Sequence, residues 1–200
     1  MKMQNHQLAD SSLGEKMRAS FGLTIIALGL CGFVYSAAAA GLGQVLFPEK
    51  ASGSLIVENN QVIGSRLVSQ PFAQVQYFHS RPSAANYDPM AMAGSNMART
   101  NPELHKVIEE RLNKIAAQEQ IEKSEIPADL VTASGSGIDP EISVQSAMIQ
   151  IKRVAHARHI PEQEVAKLIQ AHTVQPTFGI LGQARVNVLE LNLALDRGGK

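Results

Sequence analysis

The longest apolar run lies near the start of the chain. From Phe21 to Phe47 the sequence reads FGLTIIALGLCGFVYSAAAAGLGQVLF, 27 residues without a charge. A helix rising about 1.5 Å per residue would extend this run to roughly 40 Å, against a hydrocarbon core about 30 Å thick. The competing reading is a cleavable signal peptide with Ala37 to Ala40 as its small-residue site. Such peptides have an apolar stretch of about 7 to 15 residues, whereas here apolar character resumes at Leu42, Val45, Leu46 and Phe47. An uncleaved anchor is therefore expected. Lys16 and Arg18 directly precede the run and Lys2 lies further upstream, while Lys50 and Arg66 follow it. That bias directs the N-terminus to the cytoplasm. The expected division is a cytoplasmic tail over 1–18, a transmembrane helix over 19–47 and an extracytoplasmic domain over 48–200. Gly29, and Ala37 with Gly41 as a small-xxx-small pair, form a face that lets another helix approach closely.

Beyond the span the periodicity changes. Leu55-Ile56-Val57 and Gln61-Val62-Ile63-Gly64 flank Glu58-Asn59-Asn60 and predict a hairpin. Val75 to Phe78 reads as a further short strand. A turn-rich region follows, through Arg81-Pro82, Tyr87-Asp88-Pro89, Gly94-Ser95-Asn96 and Thr100-Asn101-Pro102. Asn101 then caps a helix with Pro102 at its first position and Glu103 at the positive end of the dipole. Its inward face is Leu104, Val107, Ile108, Leu112 and Ile115; Glu109, Glu110, Arg111 and Lys114 face water. Gln118 to Glu125 reads as a polar surface connection. After the loop DLVTASGSGIDP, from Asp129, a helix is expected from Ser143 to about His159, with Val144, Ala147, Met148, Ile151, Val154 and Ala155 as its stripe. Pro161 starts another, burying Val165, Leu168 and Ile169. The closing RVNVLELNLALD from Arg185 fits either a strand or a strand over Val186 to Val188 followed by a leucine-rich helix. The fold class is α+β: one N-terminal transmembrane helix, then a mixed α/β extracytoplasmic domain.

Charge and candidate chemistry narrow the function. With 18 basic and 18 acidic residues in 200, no global field draws the chain to nucleic acid. Cys31 is alone, so no internal disulfide exists, and it lies in the apolar run. Ser134, Ser136 and Asp139 are the best candidates for a hydrolytic centre, but their loop is neither G-x-S-x-G nor a phosphate loop, and no histidine with an orienting carboxylate can be assigned to it. His156 and His159 stand three apart on a helix without a further ligand at zinc spacing, and Arg153 and Arg158 oppose a cation. No catalytic residue and no metal are assigned. An independent membrane-anchored hydrolase or binding protein remains the alternative reading.

Six blocks carry a resemblance. GSRLVSQ from Gly64, YFHSRPSAA from Tyr77, GSNMARTNPEL from Gly94, DLVTASGSGIDP from Asp129, QIKRVAHAR from Gln150 and RVNVLELNLALD from Arg185 occur in the order found in the C subunit of the Kdp-type potassium-transporting ATPase. With the anchor they span nearly the whole chain. Met92-Ala93, Asp88 and Val144 depart from residues common in that family. The resemblance implies a noncatalytic accessory subunit of an ATP-driven potassium uptake complex in the bacterial cytoplasmic membrane, with ATP and potassium handled by the complex. Its implied partners are a channel-like potassium-binding subunit and a P-type ATPase subunit that performs the hydrolysis. It also implies an assembly and stabilising role, and on it Arg81, Pro82 and Ser83, with Tyr87 and Asn96, read as a docking surface rather than a reaction centre. The family is further associated with nucleotide binding through a short G-Q element, which here is Gly182-Gln183, making Gln183 the nucleotide candidate.

Overall fold

The computed structural model describes residues 12–198. Residues 1–11 of the expected tail, Lys2 among them, lie outside the described residues. The chain divides into two compact units, Met1–Ser52 and Gly53–Lys200.

In the first unit α1 (Leu13–Ala27), a π-helical stretch (Leu28–Val34) and α2 (Tyr35–Leu46) run on as one helix over Leu13–Leu46, long and apolar enough to cross a membrane. It begins ahead of the span expected from residue 19 because the polar residues before the apolar run form a capping box. Ser12 Oγ accepts from the Glu15 amide, and the Glu15 carboxylate accepts from the Ser12 amide at 2.9 Å. Phe47 leaves helical geometry, and Pro48 opens the short α3 (Pro48–Ala51).

The second unit opens with the expected hairpin, β1 (Leu55–Glu58) against β2 (Gln61–Ser65). Asn59 and Asn60 both take positive φ at its turn, a conformation asparagine tolerates. Helix α4 (Pro102–Glu119) starts as expected, with Asn101 Oδ1 accepting from the Glu103 amide at 2.9 Å. It runs on into the stretch expected to be a surface connection and ends at the left-handed Gln120. Ile108, Leu112 and Ile115 pack on Ile126, Leu130 and Val131, the last two in α5 (Ala128–Val131).

The helix expected from Ser143 is interrupted. Strand β3 (Glu141–Ser143) leads into α6 (Val144–Met148), and α7 (Ile151–Arg158) follows a turn at Ile149 and Gln150. Ser143 both ends the strand and caps α6, its Oγ accepting from the Ser146 amide. The turn takes Met148 out of the expected inward stripe and leaves it 45% exposed. After α8 (Glu162–Ala171) come β4 (Thr173–Val174), too short to register in the periodicity, then β5 (Arg185–Asn187) and α9 (Val188–Gly198). The closing segment thus takes the strand-then-helix alternative. β5 is the middle strand of an antiparallel sheet ordered β3-β5-β4, with Val186 opposite both Ile142 and Thr173. Behind it Ile142, Val154, Val165, Ile169, Val186 and Leu191 are fully buried together with Phe78.

Phe78 reaches that core from a segment without a strand partner. The Val75 to Phe78 strand does not form, because side chains rather than a neighbouring strand satisfy its backbone.

Candidate functional site

The segment from Val75 to Arg81 is held by polar side chains of α9, of α7 and of the turn that precedes α7. Asn192, on the apolar stripe of α9, accepts from the Phe78 amide at 2.8 Å and donates to the Phe78 carbonyl at 3.0 Å. Gln150 accepts from the His79 amide at 2.8 Å and donates to the His79 carbonyl and, at 3.0 Å, to the Ser146 carbonyl. Two side-chain amides therefore supply what a β-ladder would have supplied. Arg153 of α7 donates to the carbonyls of Val75 and Tyr77, to Gln150 Oε1, and through Nε to Glu119 Oε1 at 2.8 Å. Arg158 donates to the Gln76 carbonyl and to Asp196, and its guanidinium lies 5.0 Å from the centre of the Tyr77 ring.

Glu119 and Arg153 form a pair whose side chains are only 3% and 8% exposed. Burial holds the Glu119 carboxyl above its ordinary value, with the Arg153 charge and hydrogen bonds opposing that shift. Its second oxygen, Oε2, is buried without a partner. His79 Nδ1 accepts from the Gln118 amide and Nε2 donates to the Gln74 carbonyl, both at 3.2 Å, which assigns the neutral Nε2–H tautomer. Burial, then the charge of Arg153, holds His79 below its ordinary value.

The following residues fold onto the glycine-rich loop. Arg81 pairs with Asp139 at 2.9 Å, and the Pro82 carbonyl accepts from the Ser134 amide at 3.1 Å. Ser83 Oγ donates to the Gly137 carbonyl while accepting from the amides of Ala85 and Tyr87, and Tyr87 Oη donates to the Arg81 carbonyl at 3.0 Å. Gly137 has φ +75°, and a Cβ there would lie 2.7 Å from the Ala93 carbonyl oxygen, so only glycine fits between the two loops. The candidate serines do not assemble a catalytic centre. Ser134 Oγ accepts from the Gly137 amide, Ser136 Oγ accepts from the Ile138 amide, and among the described residues no imidazole bonds to either.

Arg81, Pro82, Ser83 and Tyr87 thus come together through the backbone of their own loop. Asn96 is exposed, with positive φ. Gly29, Ala37 and Gly41 lie exposed on the apolar helix of the other unit. Gln183 lines a cleft with Arg81, Asp129, Asp139, Glu141 and Arg185. Both arginines are engaged there, Arg81 with Asp139 and Arg185 with Glu141, so among the described residues the cleft presents three carboxylates and no unpaired cation. Sequence reasoning missed Glu119, Gln150, Arg153, Arg158 and Asn192. Asn192 had a signal, since it occupies a place on the same stripe as Val188, Leu191 and Leu195, where a polar side chain needs a partner.

These features define a class: an α/β domain preceded by one helix able to cross a membrane, its polar clusters bonded to its own backbone rather than arranged around a reacting atom. The chain belongs to the family of the K+-transporting ATPase c chain, KdpC, whose family model matches residues 17–197. Potassium-transporting ATPase KdpC subunits similar to it include that of Xanthomonas campestris pv. campestris strain B100, 53% identical over 183 residues, 92% of this chain and 88% of the relative. That of Acidobacterium capsulatum is 48% identical over 183 residues, 90% of this chain and 97% of the relative. Membership gives the chain a role in potassium transport.

Proposed function

We propose that the chain is a noncatalytic accessory subunit that assembles and stabilises a potassium-transporting complex, joining a channel-like potassium-binding subunit to a P-type ATPase subunit that performs the hydrolysis. Its helix anchors it once in the bacterial cytoplasmic membrane, with residues 1–18 in the cytoplasm and the domain outside. The division 1–18, 19–47 and 48–200 belongs to the same proposal. The observation that carries it is the engagement of the polar residues from Val75 to Tyr87. Arg81 and Ser83 are bonded to the glycine-rich loop and Tyr87 to the Arg81 carbonyl of its own loop, as a rigid platform requires and a reacting group does not. Gly29, Ala37 and Gly41 supply a lipid-embedded face for a partner helix.

The test is to tag the C-terminus, solubilise membranes gently and identify what co-purifies when both partners are made. A channel-like membrane protein together with a P-type ATPase is the expected result. The anchored chain recovered alone overturns the assembly role.

A further inference from the structure

A second cavity, of about 420 Å3, lies between the His79 to Pro82 segment and the side of α4. Its walls divide by chemistry. Phe72, Ile115 and Leu130 line it with apolar surface, and Arg111 and Lys114 line it with positive charge. Three residues apart on α4, the two cations share a helix face. Among the described residues neither forms an ion pair; Arg111 donates to the Val131 carbonyl at 2.9 Å, which leaves most of its guanidinium hydrogens available. The one carboxylate in the lining, Glu119, has its charge matched by Arg153.

Half-buried Arg111 and exposed Lys114, beside an apolar wall, make a positive space within the usual size of small-molecule sites. We propose that this cavity binds a small free carboxylic acid with an apolar body, its carboxylate held by Arg111 and Lys114 and its body against Phe72, Ile115 and Leu130. An anion lacking an apolar portion would leave that wall uncovered, and a neutral ligand would leave both cations unmatched. This inference stands apart from the assembly role and holds whether or not the chain joins two partners.

Benzoate is the probe and uncharged benzamide its control, titrated against the full chain in detergent and followed by ligand-observed NMR. Benzoate is expected to bind at least about tenfold more tightly than benzamide, the value of one charge-assisted hydrogen bond. Lys114→Met should weaken benzoate about tenfold and leave benzamide unchanged, with Lys114→Arg restoring most of the loss. Lys114 is exposed, so its replacement should leave the thermal unfolding midpoint in place. Ala73, exposed at the cavity wall, provides an independent arm: Ala73→Trp should block benzoate without touching a charge. Equal affinity for the two probes, no binding at tens of millimolar, or benzoate binding unmoved by both substitutions would overturn the proposal. So would binding of an amidated acetyl-Phe-Asp peptide in place of benzoate, which would make the site a dock for a protein-borne carboxylate.

Discussion

Arg153 ties the Val75 to Arg81 segment to two helices, with bonds to two backbone carbonyls, Gln150 and Glu119. Removing its charge leaves Glu119 buried without its counter-ion, so Arg153→Met should cost about 3–5 kcal/mol in denaturant unfolding. Lys123→Met, which breaks the exposed pair with Glu109, should cost under about 1 kcal/mol. Asn192→Ala strips both bonds from the buried Phe78 backbone and should cost about 2–4 kcal/mol. The pH dependence has two opposing parts. His79 is held below its ordinary 6.5 by burial and by Arg153. Between the lowered value and 6.5 the unfolded chain binds the extra proton, so stability rises with pH in that window. It is complete above 6.5 and is lost as pH falls through the lowered value. Glu119 is held above its ordinary 4.5, so the folded chain binds the extra proton there and stability falls as pH rises through that window. Unfolding free energy measured from pH 4 to 7 should lose the first slope in His79→Gln and the second in Glu119→Gln. The Arg81–Asp139 pair joins two of the quoted blocks, but neither block indicates that they meet. Residue types are local, whereas partners 58 positions apart are decided by the fold.

Among the elements, α4 was legible down to its capping residue, because cap, proline and apolar stripe all act within one or two turns. Asn101→Ala should lower stability by about 1 kcal/mol, read as a shift in the denaturant midpoint at constant slope. The far end of the same helix was not legible. Gln118 and Glu119 look like surface residues, and Glu119 is buried only because Arg153 of α7 meets it there. Arg111, expected to face water, is half-buried for a similar reason: α5 brings the Val131 carbonyl to it. The break between α6 and α7 also has a tertiary cause, since Gln150 must reach the His79 backbone. On the anchor, where no Cβ at Gly41 would meet an atom within 4 Å, Gly41→Leu should leave membrane insertion intact and reduce partner recovery in the co-purification.

For the whole molecule, orientation is the prediction to test. A reporter fused to the C-terminus that is active only outside the cytoplasm should be active, and moving Lys16 and Arg18 to the far side of the span should reduce that activity. Sequence by itself determined the apolar helix, the Asn-turn hairpin, the amphipathic helices and the family, because these depend on hydrophobic periodicity, local caps and ordered blocks of residue types. Only the tertiary structure decided that Val75 to Phe78 is held by Asn192, Gln150 and Arg153 instead of pairing as a strand. It also decided that Ser134 and Ser136 accept from their own loop, and that Arg111 and Lys114 face a cavity. Each of these turns on which distant polar groups meet once water has been excluded, and a buried donor or acceptor is satisfied by its neighbour in space, whatever its place in the chain.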